Sequence, residues 1–382
     1  MKQSWDHIIV GGGILGASFA SALLAQGKRV ALFERFSRPN GGSVRNFGLA
    51  WPFIAPDLAS IPLGLRTAEI YRTLSDEFHF GWNPCGSLLV AETAVEAAVL
   101  ADFETKAGDY GLNCRMLEPR DAIRHHPRLL KDGMQGALAF PDAAALEPRI
   151  FVACWLEWLR DRKGLGYFPS TTVVRIEEGC TVHTASGDRF QAPHVLVCAG
   201  EEFQTLFPET FIRSGIRRCK LSMLQTEPLG LPRGIPGLAF GRSLRHYPVF
   251  SGSPAFANML AEPSDAASDR LGIHLLVKPA PDGSLVIGDS HEYTAPDEPP
   301  DFDQTAEVEQ LLFRLAHRHL RGCPFLVSKR WLGYYAKHPE KPWIEEHPLP
   351  GVTVLCGLTI GMSVGPAFAE QQVAGWRQLS KM

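Results

Sequence analysis

The chain has 382 residues, 45% of them apolar, and a formal net charge of -3. That length exceeds what one core usually fills, so two domains are expected, and the near-neutral balance gives no reason to expect nucleic acid or an anionic membrane as a partner. No apolar run approaches the roughly 20 residues of a membrane span, the N-terminus runs almost at once into a strand, and the 8 cysteines form no C-x-x-C pair; a cytoplasmic enzyme with reduced thiols is the expectation.

In chain order, Ile8 to Val10 reads as a short buried strand, Gly11, Gly13 and Gly16 as a G-x-G-x-x-G turn, and Ile14 to Ala25 as a helix that Gly27 ends. Val30 to Phe33 then forms a second parallel strand closing on Glu34. Glycine at 11 permits the tight turn, at 13 it lets a pyrophosphate reach the backbone, and at 16 it lets the helix lie against the strand. The helix N-terminus stabilises the diphosphate, and Glu34 can accept hydrogen bonds from an adenosine ribose 2′-hydroxyl, which disfavours NADP. The motif alone leaves FAD and NAD open.

The loop SRPNGGSVRNFGLAWP, Ser37 to Pro52, follows at the edge of the sheet where ligands bind in open α/β folds. Leu63 to Phe78 reads as a helix, Pro84 to Val90 as a strand, Ala91 to Gly108 as a helix, and Gly136 to Pro141 as another strand. The adjacent pair His125 and His126 reads as loop beside a short helix. Pro148 suits the first turn of a helix running to about Arg162. TTVVRIEEG is β-rich, and APHVLVCAG ends a further parallel strand in Ala199 and Gly200, small enough for a dinucleotide to lie close. Between about Ile216 and Phe325 the period-two segments CKLSMLQTE, IHLLVKP and GSLVIGDS suggest antiparallel or mixed sheet. The last unit is a strand from Val352 to Cys356, a loop from Gly357 to Gly361 and a helix from about Val364 to Leu379, with Pro366 in its first turn. The histidines lack the spacing of a zinc site, and no metal is expected.

Taken together, IIVGGGILGASFASALLAQGKRVALFER, GGSVRNFG, HVLVCAG, RWLGY and VTVLCGLTIGMSVGPAFAE resemble, in order and over most of the chain, the D-amino-acid oxidase, glycine oxidase and sarcosine oxidase family of FAD enzymes. The RNFG loop followed by WP is similar to a bacterial branch linked to phosphonate catabolism, whose members oxidise 2-aminoethylphosphonate and its N-alkyl derivatives. The resemblance implies an α/β chain: a Rossmann-like FAD-binding domain of glutathione-reductase type over 1–83, 146–216 and 329–382, and an α+β substrate domain on a mixed sheet over 84–145 and 217–328. ADP would lie on Gly11, Gly13, Ile14, Leu15, Gly16, Glu34 and Arg35, with the backbone near Val174 meeting the adenine. Ser43, Arg45, Asn46, Phe47 and Gly48 would border pyrophosphate and isoalloxazine, Ala199 and Gly200 would line the crevice, and Gly357, Thr359, Ile360, Gly361 and Met362 would approach the pyrimidine edge. Hydride transfer from an amine to flavin, hydrolysis of the imine and reoxidation by oxygen or a redox partner would complete turnover.

Monomeric sarcosine oxidases hold flavin through a cysteine before the final βα unit. Cys323 in its G-C-P turn does not match that pattern, so non-covalent FAD is expected. Those enzymes also carry a lysine in the last glycine loop, and no basic side chain lies between Cys356 and Arg377 here. An anionic amine therefore needs another anchor, with Arg45, Asn46, His246, Tyr247, Arg330, Tyr334, Tyr335 and Lys337 as candidates. Arg45 is the first choice for influencing the flavin, Arg330 could instead be a counter-ion packed on Trp331, and only one of Tyr334 and Tyr335 is expected to face a pocket. Other classes remain: an NAD-linked dehydrogenase, or a flavin-binding assembly or tRNA-modification partner without turnover of its own. Oligomeric state is not legible.

Overall fold

The computed structural model describes residues 4–126, 128–231, 234–263, 265–322 and 325–379. Its first sheet has six strands in the order Ile344–Leu349, Val352–Cys356, His194–Val197, His7–Val10, Val30–Phe33, Gly166–Phe168. All neighbours are parallel except the antiparallel edge pair of Ile344–Leu349 with Val352–Cys356. Both faces are covered, so the central strands read as apolar runs, Ile8–Val10, Val30–Phe33 and Val195–Val197, rather than alternating. Ile9, Leu32 and Leu196 point into one core with Phe19, Phe151 and Trp155 from the helices Ile14–Ala25 and Pro148–Lys163. Ile8, Val10, Ala31, Phe33, Val195 and Val197 point the other way, under the three-stranded sheet of Val173–Glu177, Thr181–Thr184 and Arg189–Gln191.

The second sheet has nine strands and is mixed: Gly237–Phe240 runs parallel to Ser87–Ala91, and the remaining neighbours are antiparallel. Its long members, Arg217–Thr226 and Val327–Lys337, pair along nearly their whole length. The chain therefore stays in the second sheet past the expected return at 329 and rejoins the parallel sheet only at Ile344. That extension carries Tyr334, Tyr335 and Lys337 from one sheet to the border of the other. The two sheets are also tied by a buried ion pair between Lys278, on the second sheet, and Glu147, which precedes the helix Pro148–Lys163.

The final helix starts earlier than its proline suggested, at Gly361 instead of about Val364, so Pro366 lies inside it. A proline there removes the hydrogen bond that its nitrogen would give to the carbonyl four residues back, at Met362. That carbonyl instead accepts the buried Tyr71 hydroxyl at 2.8 Å, and the helix continues. Tyr71 comes from the helix Ile61–Glu77, so the repair also fixes the first turn of the final helix against the rest of the domain.

Candidate active site

The C-terminal ends of the parallel strands converge on one cavity of about 670 Å³ that runs from the glycine turn to the underside of the second sheet. At its first end the glycines have separate tasks. Gly11 has φ +106°, and a Cβ there would lie 2.3 Å from the carbonyl oxygen of Cys198. A Cβ at Gly16 would lie 1.9 Å from the Gly11 oxygen, so this crossing of helix and turn admits glycine alone. A Cβ at Gly13 would meet only the Ser43 hydroxyl, at 3.0 Å, which leaves that face open to the cavity. The helix has no side-chain cap at Gly13, and its Ile14 N–H donates to Ser43 Oγ at 2.9 Å.

Glu34 is buried and oriented by two backbone donors, Gly12 N–H and Phe36 N–H, each at 2.9 Å. A carboxylate so held at a strand end, beside a helix N-terminus that opens on the cavity, fits an adenosine ribose and diphosphate. The adenine end is bordered by Thr171, Thr172 and Val173 rather than by Val174. Strand alternation turns Val174 outwards, where it is 41% exposed. Leu15, Arg35, Phe47, Gly48, Ala199 and Gly200 line the same end, and Gly357, Thr359, Ile360, Gly361 and Met362 line its continuation. Gly16 does not line it; it works by close packing.

Asn46 borders the cavity, but its side chain is spent on its own loop: Nδ2 donates to the Gly42 and Ser43 carbonyls at 2.9 and 3.0 Å, and Oδ1 accepts from Gly48 N–H at 2.7 Å. It shapes the loop, and no polar group remains for a substrate. Arg45 is not among the lining residues. Its carbonyl accepts Trp331 Nε1–H at 2.9 Å, and its Cβ lies against Gly333, which holds its backbone on the second sheet. Arg330 is also outside: its guanidinium grips Glu309 through two hydrogen bonds of 2.6 and 2.8 Å on the exposed face, while Trp331 is covered by Arg149 at 4.7 Å. Tyr334 reaches the cavity's border but sends its hydroxyl to the Asp301 carbonyl on the opposite face of the strand. Tyr335, one residue on, faces inwards with its ring 6.4 Å from that of His291.

The chamber beneath the second sheet is therefore lined by His246, Tyr247, Tyr335 and Lys337, as expected, together with His274, Asp289 and His291, which were not. The three imidazoles, scattered in sequence, stack side by side with ring centroids 4.1 Å (His246 to His274) and 5.1 Å (His274 to His291) apart. Burial first, then neighbouring positive groups, lowers all three: His246 is pushed down to about 3, His291 to about 4, and His274 well below its ordinary value. Burial pushes Asp289 up to about 8, and its Oδ1 has no hydrogen-bond partner. Lys337 Nζ lies 3.2 Å from the Tyr293 hydroxyl.

A signal for this cluster was present. The strands Leu276–Pro279 and Leu285–Gly288 form a hairpin around Pro281–Asp282–Gly283–Ser284, with Leu276 opposite Gly288. Extending that register places His274 beside the segment Asp289–His291. Pairing two period-two segments through their turn brings these residues together; spacing along the chain does not.

The family model for FAD-dependent oxidoreductases called DAO matches residues 6–374. The chain belongs to this family. FAD is its cofactor, and the cradle just described fits it. Among curated relatives, the glycine oxidase of Geobacillus kaustophilus is 26% identical over 211 residues, covering 52% of this chain and 55% of the relative. The monomeric sarcosine oxidase of Streptomyces avermitilis is 27% identical over 208 residues, covering 52% and 53%. The chain thus spans about half the length of these relatives. The crystal structure of the Geobacillus kaustophilus glycine oxidase superimposes with a TM-score of 0.76 over 98% of this chain and 94% of that one, at 20% identity, a likeness of fold.

Of the cysteines, Cys198 and Cys356 line the cavity. Both are buried with thiols pushed up by burial, and Cys356 donates to the Gly200 carbonyl at 3.0 Å. Neither has the exposed, electropositive setting of a reactive thiolate. Cys323, weighed as a covalent attachment point, lies outside the described residues. No helix among the described residues is long and apolar enough to cross a membrane.

Proposed function

We propose that the protein oxidises a small anionic amine, 2-aminoethylphosphonate or its N-methyl derivative, to phosphonoacetaldehyde and ammonia or methylamine, with oxygen as final acceptor and hydrogen peroxide as second product. The observation that carries this reading is the continuity of one cavity from the dinucleotide cradle to a polar chamber containing Lys337. When bound, FAD supplies a two-electron acceptor for the carbon–hydrogen bond of the amine.

The chain's own residues bind and orient. Arg35, Lys337 and Lys341 are the described cationic side chains that line the cavity, and Lys337 is the one beside Tyr335 and the imidazoles. It gives an anionic headgroup a charged donor that the loop Gly357–Ser363 lacks. Tyr247 and Tyr335 add hydroxyl donors whose phenols burial keeps protonated. Leu221, Leu276 and Ile54 line the same space with apolar surface, and desolvation there favours the neutral amine that a hydride donor must be. Backbone groups of Gly357–Met362 at the start of the last helix favour negative charge accumulating nearby.

The names of the relatives, glycine oxidase and sarcosine oxidase, favour a second reading in which the substrate is an amino acid. Anaerobic mixing of FAD-loaded enzyme with 2-aminoethylphosphonate, its N-methyl form, glycine, sarcosine and D-alanine separates the two. Flavin bleaching fastest with the phosphonates is the expected result. Bleaching only by glycine or sarcosine would replace the substrate assignment, and bleaching by none would remove amine oxidation.

A further inference from the structure

We propose that His246, His274, His291 and Asp289 form a binding site for a zinc-class divalent metal ion in the wall of the chamber. One ligand nitrogen from each imidazole lies within 4.8 Å of the other two, on residues from three separate segments of the substrate domain.

The hydrogen bonds around the rings prepare them as ligands. His291 Nδ1 lies 2.8 Å from the Gly272 carbonyl, which only accepts, so Nδ1 carries the proton and Nε2 presents a lone pair. That Nε2 faces Asp289 Oδ2 at 3.7 Å. His274 Nδ1 pairs with Ser243 Oγ at 3.0 Å, and its Nε2 faces Asp289 Oδ1 at 3.5 Å. Imidazole nitrogens braced on the far side by a carbonyl or hydroxyl are what metal-binding histidines show.

The two separations are too long for good hydrogen bonds, which run about 2.7–3.2 Å. They are close to the roughly 3.3 Å between neighbouring ligands each about 2.0–2.1 Å from a tetrahedral ion. Asp289 supplies an independent sign: it is 6% exposed, and its Oδ1 has no partner. The His291 lone pair and the Asp289 carboxyl face one another across a gap that a cation would fill, with loss of any carboxyl proton on binding. Binding would draw the imidazoles inwards by roughly 1 Å, within reach of side-chain rotation.

The donor set favours a cation over an anion. Ring nitrogens and carboxyl oxygens are lone-pair ligands, and an ion that bound them would displace any carboxyl proton. Of the basic groups near the cluster, Arg242 is engaged with Asp269 and Arg245 with the Met259 carbonyl, and Lys337, 3.2 Å from the Tyr293 hydroxyl, is the headgroup donor proposed above rather than part of the cluster. Neutral imidazoles and one carboxylate suit zinc among the common divalent ions.

The site is testable without turnover. FAD-loaded enzyme, stripped with chelator and titrated calorimetrically with zinc chloride alone, is expected to bind one equivalent. His274→Ala is expected to weaken binding at least about 100-fold, and Ser243→Ala, which removes only the brace, about 10-fold. His183→Ala, on the three-stranded sheet, should bind as the parent does. If His274→Ala fails to fold, as judged by loss of flavin absorbance, Asp289→Asn and Ser243→Ala carry the test. Absence of stoichiometric binding, or equal binding by all variants, would overturn the proposal. So would binding of inorganic phosphate by the metal-free parent that His274→Ala abolishes, since that result makes the cluster an anion pocket.

Discussion

The two ends of the cavity are built by opposite means. The cofactor end is made of backbone: glycine turns, a helix N-terminus and one carboxylate held by main-chain N–H groups. The substrate end is made of side chains from separate strands, most of them titratable and buried. Backbone binding is local, so it tolerates no Cβ at a few positions and is indifferent to most side chains around them. Side-chain binding depends on register over long distances and can change substrate without changing the fold.

The largest expected effect breaks the first end alone. Gly16→Ala would force a Cβ to within 1.9 Å of the Gly11 carbonyl oxygen, so the turn must open and the purified protein should lack the absorbance of bound flavin. Lys278→Met acts on the junction between the ends. It leaves Glu147 without its partner in a largely buried pair, which should cost about 3–5 kcal/mol of stability in denaturant unfolding. Lys278→Met with Glu147→Leu should recover much of that loss.

Tyr71→Phe is milder. It withdraws the hydroxyl that satisfies the Met362 carbonyl freed by Pro366, costing about 1–3 kcal/mol. Because Met362 lies in the helical turn lining the cofactor end, flavin affinity should fall as well, whereas a change at the chamber would leave it intact. The smallest effect lies away from both ends, where His7 stacks on His194 at 5.1 Å. Burial, with the neighbouring His194, pushes His7 down to about 4 from its ordinary 6.5. The unfolded chain then binds more protons than the folded one between these values. The stability due to a neutral His7 is therefore complete above about 6.5 and is lost as pH falls towards 4. His7→Phe should flatten thermal unfolding over that interval and leave flavin binding unchanged.

This contrast also explains which parts were legible in the sequence. Gly11, Gly13, Gly16 and Glu34 could be read because turn, helix and strand lie within one contiguous stretch. The final glycine loop was legible for the same reason. Arg45 and Arg330 were misleading because residue type and neighbourhood in sequence do not tell which way a side chain points. Trp331 holds the backbone of the first, and Glu309 holds the guanidinium of the second. Asn46 looked like a substrate ligand, and its amide is consumed within its own turn. His274, Asp289 and His291 were missed because their proximity is a property of the hairpin register. Val174 itself turns its side chain outwards while its neighbour Val173 borders the cavity, because in a strand one residue is the other face.

The central claim is that the cradle selects the cofactor while the chamber selects the substrate, and Lys337→Met tests it most directly. FAD affinity should be unchanged in this variant. Its apparent affinity for 2-aminoethylphosphonate in anaerobic flavin reduction should fall about 10- to 100-fold, the loss of one charged hydrogen bond of about 1.5–3 kcal/mol. An uncharged amine of similar size should be affected far less. Loss of FAD, or an equal loss for charged and uncharged amines, would contradict the account.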